Sequence, residues 1–258
     1  FPDGLWYTSS PINADIKRLN GRIDINYQIT PKWAMGGQYL YNKTNFDVTD
    51  APYTPVFDYD TNEIIRSLQS DGTMDLNPEI HSINYNNEIA LDTLGRKITL
   101  NLDYFTYNNP DTKTYNGVSI IQNPFSEQFY RGTNTNNQDV TNVSAKLDIE
   151  FPLDWIDLDF GGKISNSKSL NDIVFFNSGL VDNPVTSLPI SQNDFDYKED
   201  IQAVYLSASK KINDKWNTQV GLRMEATQTS STSNNLNFSE APSTASTPLI
   251  VAISSGFN

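Results

Sequence analysis

The chain has 258 residues, a net charge of −13 at pH 7, 37% apolar and 12% aromatic residues, and no cysteine. Without cysteine there are no disulfides, thiol nucleophiles or thiolate metal sites, and the lone histidine, His81, excludes a multi-histidine centre. The acidic balance, without Lys/Arg clusters, argues against a nucleic-acid partner, and no apolar run is long enough for a membrane helix, although alternating spanning strands remain open.

In chain order, Leu19, Gly21, Ile23, Ile25, Tyr27 and Ile29 alternate with Asn20, Arg22, Asp24, Asn26 and Gln28. This period of two is that of a strand with one apolar and one wet face. A turn at Thr30-Pro31-Lys32 leads to Trp33, Met35, Gly37, Tyr39 and Tyr41, so 16–42 reads as a hairpin. A second hairpin, 80–107, sets Ile83, Tyr85, Ile89, Ile98, Leu100, Leu102 and Tyr104 against polar neighbours. Its turn holds Gly95 where a left-handed residue is needed. The third, 143–165, sets Val143, Ala145, Leu147, Ile149, Leu158 and Phe160 against Lys146, Asp148, Asp157 and Asp159. The fourth, 201–227, sets Val204, Leu206, Val220, Leu222 and Met224 against Tyr205, Ser207, Arg223 and Glu225.

These four hairpins predict an all-β, antiparallel up-and-down meander of about eight strands, a segment of an outer-membrane β-barrel. The segments between them, 43–78, 108–140 and 166–196, are long and polar and are expected as loops on one side, with 228–258 as a tail. Strands of about ten residues suit a tilted bilayer crossing, and short turns opposite long loops are the layout of such barrels. A soluble β-sandwich also alternates, but three features favour the membrane. Lys210 alone puts a charge on the apolar faces. Trp33, Trp155 and Trp216 sit at the short turns while Tyr39, Tyr41 and Tyr104 lie toward the other ends, as two aromatic girdles would. Three loops of such length are rare in a sandwich.

The last hairpin carries a family resemblance. Phe195-Asp196-Tyr197-Lys198-Glu199-Asp200-Ile201, then Ala203-Val204-Tyr205-Leu206-Ser207, then Gly221-Leu222-Arg223-Met224-Glu225-Ala226-Thr227 resemble the barrel signature of TonB-dependent receptors, most closely the outer-membrane β-barrel family abundant in Bacteroidota. Leu91-Asp92-Thr93-Leu94-Gly95-Arg96 and Ala145-Lys146-Leu147-Asp148 agree with it. The resemblance runs from about residue 14 to 227. It implies the outer membrane of a Gram-negative bacterium, lipid around the barrel, and uptake of a nutrient: an oligosaccharide, a metal chelate or a peptide. The partners it implies are a plug domain of the parent receptor and an inner-membrane energy-coupling complex. Neither a plug nor a coupling box is found, and the chain starts at Phe1, as an internal barrel segment would. A small adhesive barrel and a soluble carbohydrate-binding β-domain are the alternatives.

No nucleophile–base or metal constellation points to an enzyme, and no cofactor is implied. Among loop aromatics, Tyr107, Tyr115, Phe125, Phe129 and Tyr130 are candidates for ligand contact, since binding concentrates on loops. Arg223 and Glu225 fall on the wet face, for contact with the plug or as a cross-strand salt bridge. Asp58, Asp60 and Asn62 carry oxygens at the alternate positions of a calcium loop, but Glu63 replaces its turn glycine, so a solvated acidic loop is the plainer reading. Asp157 and Asp159 read as polar lining rather than catalytic carboxylates, and His81 as simply polar.

Overall fold

The structure, a computed structural model, describes residues 4–178, 191–213, 216–235, 238–239 and 243–257. Among them all regular structure is strand, in one 13-stranded sheet. The strands are β1 (Leu5–Trp6), β2 (Ile12–Thr30), β3 (Trp33–Asp50), β4 (Tyr53–Phe57), β5 (Ile64–Leu76), β6 (Glu79–Ala90), β7 (Lys97–Gln122), β8 (Phe125–Leu153), β9 (Ile156–Ser178), β10 (Ser191–Asn213), β11 (Trp216–Asn235), β12 (Phe238–Ser239) and β13 (Ser243–Phe257). Every pairing is antiparallel.

Several strands are parts of one row interrupted by proline. Leu5↔Phe57, Ser9↔Tyr53 and Ile12↔Asp50 keep a single register, so β1 and β2 form one line against β4 and β3. Glu79 and Leu76 likewise face Lys43 and Phe46 on one side and Asn108 and Asp111 on the other, without a slip. The interruptions fall at Pro11, Pro52 and Pro78, which lack the N–H a ladder needs. Their carbonyls still accept, from Ala51 N at 3.2 Å, Ser70 N at 3.1 Å and Thr44 N at 3.0 Å. The sheet is therefore a meander of long rows: β1–β2, β3–β4, β5–β6, β7, β8, β9, β10, β11 and then β12–β13.

Two expectations change. The number of strands exceeds about eight, because residues 243–257, expected within the tail, pair with β11 as a further row. The segments expected as loops are largely strand. β3, β4 and β5 occupy most of 43–78, β7 and β8 pair continuously through 108–140, and β9 and β10 enter 166–196 from both ends. The reason is physical. Alternation betrays a strand only where one face is dry; with both faces wet the period vanishes while the ladder persists. Polar cross-strand bonds hold these extensions, such as Thr73–Thr114 at 2.6 Å, Asn108 Nδ2 to Asp139 at 2.5 Å and Arg131 Nε to Asn116 at 2.6 Å. Part of the 166–196 segment, residues 179–190, lies outside the described residues, as do Asp214 and Lys215 of the fourth short turn. At the second turn Gly95 has φ +91°, and Asp92 Oδ1 accepts from Leu94 N at 2.8 Å.

Directly paired residues share a face, so the register sorts the sheet into two surfaces. One row crosses Trp33, Ile89, Ile98, Ile149, Phe160, Leu206 and Leu222; the next crosses Tyr27, Met35, Asn87, Leu100, Leu147, Gly162, Val204 and Met224. The interleaved rows are Asn26, Gly36, Asn86, Asn101, Lys146, Lys163, Ala203 and Glu225, and Gln28, Ala34, Glu88, Thr99, Asp148, Gly161, Tyr205 and Arg223. The apolar face is confined to roughly ten residues beyond the short turns, about the length of a tilted crossing.

Almost nothing apolar is buried. Among the described residues only Val56 and Ala203 are buried hydrophobics, while Ile25, Val204 and Trp155 are 66%, 58% and 64% exposed. A sandwich would cover these side chains with a second sheet, and none is present among the described residues. β2, which pairs only with β3, is exposed over nearly its whole length. In bilayers, cysteine placed at Leu147 or Val204 is expected to react with a lipophilic maleimide and cysteine at Asp148 or Tyr205 is not. Because a one-residue slip exchanges the faces, the reverse pattern overturns the assignment.

Candidate functional site

The polar face is the surface with chemistry. Within the belt, Asp148, Gly161, Tyr205 and Arg223 stand side by side on β8 to β11. A Cβ on Gly161 would come within 2.6 Å of the Tyr205 hydroxyl, so glycine is what lets the Tyr205 ring lie across β9 and donate to Asp148. Lys146 Nζ sits 2.9 Å from Asp148, and Lys146 and Arg223 each lie 5.8 Å from the Tyr205 ring. Arg223 Nη2 donates to Glu225 Oε2 at 2.5 Å. That ion pair runs along β11 between residues two apart, and so differs from the cross-strand bridge considered above. Asp157, Asp159 and Lys163 share the same face, where Asp159 accepts from Ser207 at 3.4 Å. Sequence reading found Arg223 and Glu225 but missed Tyr205 as their bridge to Asp148, because only register brings β8 and β10 to either side of Gly161.

β7 and β8 are 26 and 29 residues long in all, and most of each lies beyond the belt. At about 3.3 Å per residue they extend roughly 90 Å, some three times a bilayer crossing. The five candidate aromatics all lie on this hairpin but not on one surface. Tyr107, Tyr115 and Tyr130 face the polar side; Phe125 and Phe129 face the other and are exposed. Tyr115 opposes Gly132 and Tyr130 opposes Gly117 one step further on. Each ring folds over the opposite glycine, where a Cβ would collide with it, and the two ring centroids are 6.1 Å apart. Lys113, Asn134, Asp111 and Asn136 follow on the same face toward the belt. Asp111 Oδ1, Asn134 Oδ1 and Asn136 Oδ1 are buried without a hydrogen-bond partner. Burial pushes the Asp111 carboxyl above its ordinary value, and Lys113 offsets part of that rise.

The turn between β4 and β5 holds Asp58, Asp60 and Asn62. Asp58 Oδ1 accepts from the backbone N–H groups of Asp60 and Thr61, both at 2.9 Å, and from Thr61 Oγ1 at 3.2 Å. Those bonds hold its carboxyl below the usual range. Asn62 takes φ +56°, as an Asx-type turn allows. Asp58 is therefore spent on capping the turn, and no cluster of three or more His, Asp or Glu suited to a metal occurs among the described residues. His81 is more engaged than expected: its Nδ1 is 2.8 Å from the Tyr39 hydroxyl, its Nε2 is 3.2 Å from Glu79, and Tyr41 packs at 5.0 Å.

Residues 89–245 match the model of the outer membrane protein beta-barrel family. No curated protein matches the sequence. Among solved structures, the chain is similar to BauA, the ferric preacinetobactin receptor from Acinetobacter baumannii, at 8% identity and a TM-score of 0.40, covering 95% of this chain and 44% of that one. It is similar to the ferric yersiniabactin uptake receptor FyuA from Yersinia pestis at 9% identity and TM-score 0.36, covering 100% and 45%. The ferric citrate transporter FecA in its unliganded form gives 12% identity and TM-score 0.34, covering 94% and 40%. The chain thus spans less than half the length of each.

Two outcomes are expected at the β7–β8 hairpin. Gly132→Val should destabilise the folded protein by about 1–3 kcal/mol in denaturant titrations, because Tyr115 must vacate its place. Tyr115→Ala in the same chain should recover part of that loss, a non-additivity that a double-mutant cycle reads directly. For Asp111, a raised folded-state pKa means the native chain binds the proton more tightly than the unfolded chain. Its contribution to stability therefore improves as pH falls through the raised pKa and levels off below the ordinary carboxylate range. Asp111→Asn should remove that slope from the difference between wild-type and variant stability curves.

Proposed function

Since the chain belongs to the outer membrane protein beta-barrel family and is an outer-membrane protein, we propose that it forms part of a TonB-dependent receptor wall that captures a nutrient outside the cell and passes it along the polar face. The observation that carries this reading is a continuous surface. It leads from Tyr115 and Tyr130 at the outer end of the hairpin, past Asn134, Asn136 and Tyr107, to the Tyr205–Asp148–Arg223 cluster inside the belt. Tyrosine faces and amide groups suit oligosaccharides and peptides. The acidic balance of the chain disfavours a bare anion, so an anionic chelate would need to arrive with its charge offset by a cation. On this reading Arg223 and Glu225, on the polar face, meet a plug domain of the parent receptor, and energy comes from an inner-membrane coupling complex.

The test is growth and uptake in cells given one labelled oligosaccharide, peptide or ferric chelate at a time. Tyr115→Ala with Tyr130→Ala is expected to weaken capture about tenfold, the scale of losing two aromatic contacts, while the protein still inserts and resists heat. Dissipating the proton gradient should stop accumulation and leave surface binding intact. Binding without accumulation under any condition would instead favour the adhesive barrel.

A further inference from the structure

The apolar face carries a feature that neither the fold nor uptake needs. Lys168 on β9 and Lys198 on β10 are directly paired, and like charges opposite one another destabilise a sheet. Lys198 has only a long contact with Asp196, at 3.8 Å, and Lys168 has no ion-pair partner among the described residues. Their row continues through Thr141, Thr106, His81 and Tyr41. It is the first row above the apolar belt without an aliphatic side chain, at the level of the lipid headgroups. Starting two rows below it, the belt is hollowed. Ala145, Gly162 and Ala226 line a depression of about 550 Å³ beside Leu147, Ile164 and Met224. A second hollow of about 530 Å³ shares Ala145 and Ile164 and runs up to Asn166 and Asp200, one step beneath the lysines.

We infer that this groove binds a lipid of the surrounding leaflet whose headgroup carries a phosphate, with the phosphate on Lys168 and Lys198 and an acyl chain over Ala145 and Gly162. From Gly162 to Lys168 is about 20 Å along the strand, or roughly 15 Å along the bilayer normal once tilt is included, the depth of one leaflet. The phosphate supplies the counter-charge that Lys168 lacks and that Lys198 has only from Asp196 at 3.8 Å. Nearby carboxylates fix its height: Asp139, Asp172, Asp194 and Asp196 occupy rows farther out on the same face, and Asp200, below, is bonded by Asn166 at 2.7 Å. A phosphate placed higher meets repulsion, so the lysine row is the favourable level.

Native mass spectrometry of the full-length protein folded in detergent tests this, with phosphatidylglycerol, diacylglycerol or inorganic phosphate added in turn. One phosphatidylglycerol per chain is expected to be retained, diacylglycerol much less, and inorganic phosphate neither retained nor able to displace the lipid. K168Q/K198Q should lower lipid retention about 25-fold, at the strength of two interfacial lysines, while K168R/K198R keeps it. Gly162→Leu should weaken retention with both lysines intact, by filling the groove. Equal retention of diacylglycerol, displacement of the lipid by inorganic phosphate, or unchanged retention in the folded glutamine variant would each overturn the site. Should the glutamine variant fail to fold, the wild-type comparison of phosphatidylglycerol with diacylglycerol and the Gly162→Leu variant decide it.

Discussion

A single-layer sheet with one apolar face has nothing of its own to hide that face against. Only two apolar side chains among the described residues are buried, while isoleucines, leucines and valines along the belt stand open. In water, each such side chain left uncovered forgoes about 1.5–3 kcal/mol of burial. A bilayer removes that penalty without a second protein layer, and it accounts for the height of the belt, the position of the tryptophans and the scarcity of charge among the apolar rows. Lys210, on the apolar face, obeys the same constraint: it lies beside a short turn with its ammonium 5.6 Å from the Trp155 ring, at the edge where it can reach water.

The polar face faces a different problem, because long side chains from adjacent strands compete for one surface. Here glycine makes the room. Asn26 and Asn86 lie over Gly36, Asp50 over Gly72, Tyr205 over Gly161, and the two hairpin tyrosines over Gly117 and Gly132. In each case the missing Cβ makes room for a neighbouring side chain; Tyr205 uses that room to reach Asp148 across β9, and Tyr115 to meet Tyr130. The lining thereby becomes a layer of hydrogen bonds and ion pairs rather than a set of extended, mobile chains. That layer couples β8 to β10 through Tyr205 and Asp148, two strands that do not pair with each other.

Above the belt the bilayer no longer distinguishes the faces, yet the rows continue. Threonine, asparagine and aspartate pairs sustain the ladder there, and prolines interrupt it without shifting register. What results is a wall of paired strands continuing past the belt rather than a set of loops.

From the sequence alone, Ile25, Leu100, Leu147, Leu158 and Leu222 could be set on one face and Asp24, Asn101, Asp148, Asp159 and Arg223 on the other. The first three short turns could be placed as well. A strand half in lipid writes its geometry into every second residue. The same rule explains what stayed hidden: where both faces are wet, nothing in composition separates a strand from a loop, so 108–140 read as loop. Site residues divide the same way. Tyr115 and Tyr130 were legible as aromatics, but their partnership with Gly132 and Gly117 depends on which residues stand opposite. The pairing of Lys168 with Lys198, thirty positions apart, likewise exists only once β9 and β10 are in register. Alternation is a local property carried by each residue and its neighbours; cross-strand contact is set by hydrogen bonding between distant segments, and that only the tertiary structure decides.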